Sequence, residues 1–284
     1  MIGRRGFLRG SGLLSISWRA HAAEPERLVI AGASLVEIAF ALGAGDRVIA
    51  VDDTATHPPE VSDLPSVGYF RELAPEGIIA LRPSAVIVAA DAEPGRTLEL
   101  LEAAGIPVYR APDAETPEEV PAKITFVASV LGLEAEGRAL AADYRERLAA
   151  VRAAAAGTSG SPGPRALFVL TQRGSMALVG GRGTVPDEML RAAGLVNAAA
   201  EIEGYKQVGP ESIIGLAPDG VLMMTEHAAR IGGVERLLSG PGFRQTLAGR
   251  QVRSVTMDGS MLMRLGPRTP EAIKTLARAL GTAD

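Results

Sequence analysis

Tyr69 and Arg71, set in Val67-Gly68-Tyr69-Phe70-Arg71-Glu72-Leu73, are the residues here best spaced to do chemistry together. A phenolate can serve as an axial ligand to ferric iron. A free tyrosine has a pKa of about 10, so a lasting positive neighbour is needed to favour the anion near neutrality. Arginine supplies that charge, and its planar fork also grips carboxylates. In an extended segment residues i and i+2 share a face, which would set Arg71 alongside Tyr69. Taken alone, the two read more simply as a loop aromatic and a solvated charge, so their context has to decide.

Other residues could join them. Tyr205-Lys206 follows Gly204 as Tyr69 follows Gly68. Lys206 is one of three lysines and reads equally as a solvated cation. His227 follows an apolar run at 220–224, and open parallel sheets bind ligands beyond the carboxyl ends of their strands. A surface histidine in a loop is the even alternative. His57, in Thr56-His57-Pro58-Pro59, reads as structural. Met261 and Met263 could cover an apolar ligand face or simply fill core. Arg264 and Arg268 could pair with ligand carboxylates or with acidic neighbours.

Several chemistries are excluded. With no cysteine there is no disulfide, thiolate metal site or cysteine nucleophile. Ala31-Gly32-Ala33-Ser34 lacks the spacing of a dinucleotide fingerprint, and no phosphate-loop Gly-Lys-Ser/Thr or Gly-x-Ser-x-Gly elbow occurs. Only three histidines exist, and one, His21, lies in the leader described below. A doubly wound enzyme is therefore the weakest reading.

The elements that must position these residues alternate strand and helix. Strands are predicted at 27–31, 47–51, 85–90 and 106–110, with a helix near 97–104. Ser34-Leu35-Val36-Glu37 reads as a capping box opening another helix, which Gly43 stops. This order implies crossover connections and a mostly parallel sheet. Residues 117–156 carry only helix formers, broken once at Gly132, and the part from 134 would extend roughly 35 Å. A turn-rich connector, 157–164, precedes strands at 166–170, 220–224 and 251–257 and helices at 185–193 and 270–280.

An internal repeat ties the halves together. Pro75-Glu76-Gly77-Ile78-Ile79-Ala80-Leu81-Arg82-Pro83 recurs as Pro210-Glu211-Ser212-Ile213-Ile214-Gly215-Leu216-Ala217-Pro218, with six of nine positions identical. A Gly-Tyr pair precedes each copy and an apolar strand follows each. The expected architecture is α/β, with two doubly wound lobes joined by a long helix and a ligand cleft between them. The expected divisions are 23–116, linking helices 117–156, and 165–284.

Residues 1–22 read as a twin-arginine signal peptide. Arg4-Arg5-Gly6-Phe7-Leu8-Arg9 precedes a short apolar run, and Ala20-His21-Ala22 offers a cleavage site near Ala22. Its removal takes four arginines and no acid, moving the net charge from −4 to −8. So acidic a chain suits neither nucleic acid nor an anionic lipid surface.

Two α/β lobes joined by a long helix resemble the helix-linked solute-binding proteins of ABC importers, which carry haem, corrinoids and ferric siderophores. Within that class the Tyr69-x-Arg71 segment is similar to the haem-binding branch. So are Gly181-Arg182-Gly183-Thr184, Glu203-Gly204-Tyr205-Lys206 and Met257-Asp258-Gly259 with Gly266-Pro267-Arg268-Thr269-Pro270. The resemblance implies a monomeric periplasmic receptor, not an enzyme, that takes haem as a transported ligand. Tyr69 would ligate the iron and Arg71 would favour its phenolate, with Tyr205, Lys206, Met263 and Arg264 lining the cleft. His227 would be the candidate second iron ligand. Glu76 and Glu211 would dock one lobe each on a dimeric permease with its ATPase, without insertion into the membrane. Some relatives hold a second haem through a histidine early in the second lobe, where this chain has Thr171-Gln172-Arg173. A corrinoid or ferric siderophore is the competing ligand on the same fold.

Overall fold

A computed structural model describes residues 26–156 and 163–281. The signal-peptide reading and most of the 157–164 connector fall outside the described residues. The first lobe runs β1 (Leu28–Ala31), α1 (Ala33–Ala41), β2 (Val48–Val51), α2 (Pro75–Ala80), β3 (Ala85–Val88), α3 (Gly95–Ala103) and β4 (Val108–Arg110). Its sheet has the order β2-β1-β3-β4 and is wholly parallel. β1 and β3 are apolar at every position and fully buried, as strands covered on both faces must be.

The link is a helical hairpin, α4 (Val120–Leu131) and α5 (Glu134–Ala156), turning at Gly132 with φ 72°. The two helices touch closely at Gly137, where a Cβ would fall 2.3 Å from that of Ala128. Buried Tyr144 on α5 donates to the Pro117 carbonyl at 2.8 Å and pins the start of the hairpin.

The second lobe comprises β5 (Arg165–Arg173), β6 (Met176–Gly180), α6 (Val185–Ala192), β7 (Val196–Asn197), β8 (Tyr205–Val208), α7 (Pro210–Leu216) and β9 (Gly220–Met224). Then come α8 (Thr225–Arg230), α9 (Val234–Leu238), α10 (Leu247–Gln251), β10 (Ser254–Met257), α11 (Gly259–Met263) and α12 (Thr269–Leu280). Its sheet order is β10-β9-β5-β6-β8, with β7 paired to β5. β10, β9 and β5 are parallel, whereas β6 pairs antiparallel with both β5 and β8. No described helix is long and apolar enough to cross a membrane.

The repeat is structural. α2 and α7 each begin with proline at their first position and leave through a non-glycine residue in the left-handed region, Arg82 at φ 48° and Ala217 at φ 45°. Each then leads into a buried parallel strand, β3 or β9.

Two local expectations fail. The capping box does not form, because α1 starts at Ala33 and both its members are buried in tertiary contacts. Ser34 faces Lys123, and Glu37 pairs with Arg268. The strand expected from residue 251 begins only at Ser254, because 251 still ends α10 and Val252 turns the chain at φ 51°.

Of three apolar clusters among the described residues, one spans both lobes and the hairpin. It joins Leu35 and Ile38 of the first lobe, Ile124 and Leu148 of the hairpin, and Phe168, Leu262 and Ile273 of the second. Each such side chain contributes about 1.5–3 kcal/mol on burial. Lobes sharing so much apolar contact resist wide hinge opening.

The candidate ligand cleft

The second lobe meets the first mainly through residues 258–271. Arg268 pairs with Glu37, and the Thr56 hydroxyl donates to Asp258 at 3.2 Å. Arg147 of α5 holds the base of the same segment through Glu271 and the Pro267 carbonyl, at 2.7 and 3.2 Å. A small cavity lies under the contact, lined in part by Gly32, Phe70, Ala89, Lys123 and Arg264. It sits beyond the carboxyl ends of β1 and β3, where connections leave the central strand in opposite directions and α/β sheets bind ligands.

Lys123 belongs to this joint. It is 5% exposed, and its ammonium donates to the Leu265 carbonyl at 3.2 Å and the Ser34 hydroxyl at 3.4 Å. Burial lowers its pKa from 10.5 to about 8. Between those values the unfolded chain holds more protons than the folded one, so this group makes stability rise with pH. The slope is at most about 1.4 kcal/mol per pH unit. Denaturant titrations from pH 7.5 to 10 should therefore show wild type gaining on Lys123→Met as pH rises. A constant gap between the two would contradict the buried, titrating lysine.

Above the cavity, groups from both lobes converge. Tyr69 does not lie in an extended segment, since Phe70 and Arg71 form a turn in which Glu72 N–H donates to the Tyr69 carbonyl at 2.7 Å. The expected i, i+2 alignment is thus replaced by a turn around buried Phe70. Tyr69 stays 38% exposed with its ring edge-on to Phe70 at 4.8 Å. Arg71 swings its guanidinium onto Asp91 and lies 5.3 Å from the centre of the Phe70 ring. Arg264, from the opposite lobe, stacks on the same ring at 4.5 Å and reaches both Asp91 oxygens at 3.2 Å.

Asp91 is therefore clamped between two arginines, one from each lobe. Burial raises its pKa, but the bonds and charges of Arg71 and Arg264 outweigh that and hold it below the usual carboxylate value. Arg71 is raised, first by its bond to Asp91 and, more weakly, by the charge of Tyr69. The Arg71 guanidinium thus goes to Asp91.

Tyr205 stands at the start of edge strand β8, opposite Gly180. Its ring would touch a Cβ there at 3.4 Å. Burial raises its pKa and Arg264 only partly offsets this, so Tyr205 remains a neutral phenol that can donate or stack. The segment before it is fixed by Gly181, which leaves no room for a Cβ against the Ile202 carbonyl, and by the Arg182–Glu203 bridge. Lys206 is the next residue on the strand, so it emerges on the opposite face from Tyr205. It is exposed and makes no ion pair among the described residues.

His227 lies on α8, half-buried, with Nδ1 against the carbonyl of Leu170 within β5. An Nδ1–H donated to a carbonyl leaves Nε2 as the free lone pair, an arrangement common in metal-ligating histidines. Met261 and Met263 are half-buried and pack on the core shared by the lobes. Glu76 and Glu211 are exposed on the first turns of α2 and α7, and Ile79 and Ile214, one turn on, are 37% and 39% exposed. Phe70 and Asp91 were not singled out from the sequence. Asp91 carried one signal, its place just past an apolar strand.

The periplasmic binding protein family matches residues 28–260, and the chain belongs to that family, one of solute-binding proteins rather than enzymes. It is a periplasmic solute-binding protein of an ABC importer. Its fold is similar to the periplasmic haem-binding protein RhuT from Roseiflexus sp. RS-1, at 40% identity and TM-score 0.85 over 90% of this chain and 97% of that one. The haem-binding protein BhuT, in complex with two haems, gives 40% identity and TM-score 0.84 over 89% and 97%. A vitamin B12-binding protein of Vibrio parahaemolyticus is 30% identical over 204 residues, 72% of each chain.

Proposed function

We propose that this protein binds haem in the cleft between its lobes and delivers it to the permease and ATPase of an ABC importer. The observation that carries the reading is an exposed tyrosine packed edge-on to Phe70, whose ring is flanked by two guanidiniums from opposite lobes. Tyr69 supplies a phenolate oxygen for ferric iron. Arg71 and Arg264 supply charge and paired donors for the haem propionates. Tyr205 and Met263 add contact surface.

A corrinoid carries its peripheral side chains largely as amides, to which an arginine pair offers no charge complement. A ferric siderophore site calls for several basic and aromatic side chains, and this chain is 4% aromatic. Parallel titration with hemin, cyanocobalamin and a ferric siderophore tests the choice. Hemin should bind with a new Soret band and the other two should not compete. Tight cobalamin binding would overturn the reading.

His227 is the second-lobe candidate for the opposite face of the iron. His227→Ala should convert a six-coordinate low-spin complex to a high-spin one, while Tyr69 still holds the haem. An unchanged spin state would make His227 a bystander.

Export follows from the leader at 1–22, with cleavage near Ala22. The receptor acts as a monomer of three parts, 23–116, 117–156 and 165–284. Glu76 and Glu211 dock on a two-fold symmetric permease. The exposed isoleucines beside them, at matching positions of the repeat, support two equivalent footprints.

A further inference from the structure

Among the described residues, the hydrogen-bond and ion-pair partners of the Asp91 carboxylate are Arg71 and Arg264. Asp91 occupies one amino group of each guanidinium, with Arg71 Nη2 on Oδ2 and Arg264 Nη1 at 3.2 Å from both oxygens. Its side chain is 31% exposed, and those of Arg71 and Arg264 are 46% and 25% exposed. The cluster is thus open to solvent on one side and backed by Phe70 on the other. Two cations sharing one carboxylate leave a net positive charge, and a second anion can join only by displacing the first or by lying beside it.

We propose that Asp91 is a built-in stand-in for the ligand's carboxylate. It keeps Arg71 and Arg264 aimed at one point, yields them to the haem propionates, and so sets how tightly a carboxylate-bearing porphyrin is held. The inference rests on the haem reading above. Its physical basis is competition. An aspartate displaced from its arginines stays within a few ångströms of the incoming carboxylates, and like charges so placed oppose binding. The arrangement trades affinity for release, which suits a carrier that must surrender its cargo. Asp91 acts through the arginines and is a positioning residue, not a ligand of haem.

The test compares hemin with hemin dimethyl ester, whose propionates are esterified and uncharged, on wild type, Asp91→Asn and Asp91→Glu. Asp91→Asn keeps the shape but removes the charge, so hemin should bind on the order of tenfold tighter. The dimethyl ester should bind Asp91→Asn and wild type alike, and Asp91→Glu should restore wild-type behaviour toward both. The Soret and charge-transfer bands should be the same in all three, since Tyr69 is untouched. A purely structural tie between the lobes predicts something else, namely that Asp91→Asn weakens both ligands equally and lowers the melting temperature. That outcome, or equal hemin affinities, would overturn the proposal while leaving haem binding intact. Wild-type protein that takes up no hemin would overturn the functional reading itself.

Discussion

Replacing Tyr69 by phenylalanine should cut ferric haem affinity by at least about a hundredfold, roughly 2.7 kcal/mol. Loss of a residue that merely supports a metal ligand typically costs about 10–100-fold, and here the ligand itself would go. The ring survives in the variant, so its edge contact with Phe70 and the turn closed by Glu72 should persist. Only the donor oxygen is lost. The variant should melt at the wild-type temperature and show altered charge-transfer bands in whatever haem it retains. Arg71→Ala should act more mildly, raising the pH at which the phenolate ligates. The sign follows from the chemistry, since a nearby cation favours the phenolate and its removal shifts ionisation upward. A Tyr69→Phe variant with wild-type affinity and spectrum would mean that another group holds the iron.

The second large effect belongs to transport. Glu76→Ala with Glu211→Ala should leave the haem spectrum unchanged yet abolish most uptake. Both carboxylates are exposed, and the cleft groups lie elsewhere. In the docked complex each would meet a permease guanidinium at the interface rim, where charge pairs mainly set orientation and encounter rate. Loss of both should therefore slow complex formation with the permease. Binding to permease in detergent micelles, alongside uptake in cells, measures both. Full uptake by the double variant would reduce these residues to favourable helix starts, where an acid complements the N-terminal dipole. Lost haem binding would mean that the cleft had been misassigned.

The parts of this fold legible in the sequence are those governed by local chemistry. β1, β3 and β9 are short apolar runs whose covered faces leave no other reading. The α4–α5 hairpin shows through helix formers broken at one glycine, and α2 and α7 announce themselves by proline at their first position and by the repeat. β8 was not legible, because an edge strand with three exposed residues of four has no alternating pattern to detect. The capping box was a valid local motif overruled by distant partners, Arg268 for Glu37 and Lys123 for Ser34.

The site divides in the same way. Tyr69, Arg71, Tyr205 and Arg264 were visible by type and motif, and the structure joins Arg71 and Arg264 at Asp91, beside the Phe70 that neighbours Tyr69. Their arrangement was not visible, since it depends on a turn around Phe70 and on Asp91 joining arginines 193 residues apart in the chain. No spacing rule links those positions. Lys206 illustrates the limit from the other side, because neighbours on a strand face opposite ways and a shared motif does not give a shared face.

In the proposed complex the phenolate of Tyr69 holds ferric haem between the lobes. Resonance Raman spectroscopy of the ferric complex, excited in its charge-transfer band, tests this most directly when the protein carries ring-deuterated tyrosine. Phenolate modes that shift with the label are expected in wild type and should vanish in Tyr69→Phe. Label-insensitive spectra, or phenolate modes that survive in Tyr69→Phe, would contradict it.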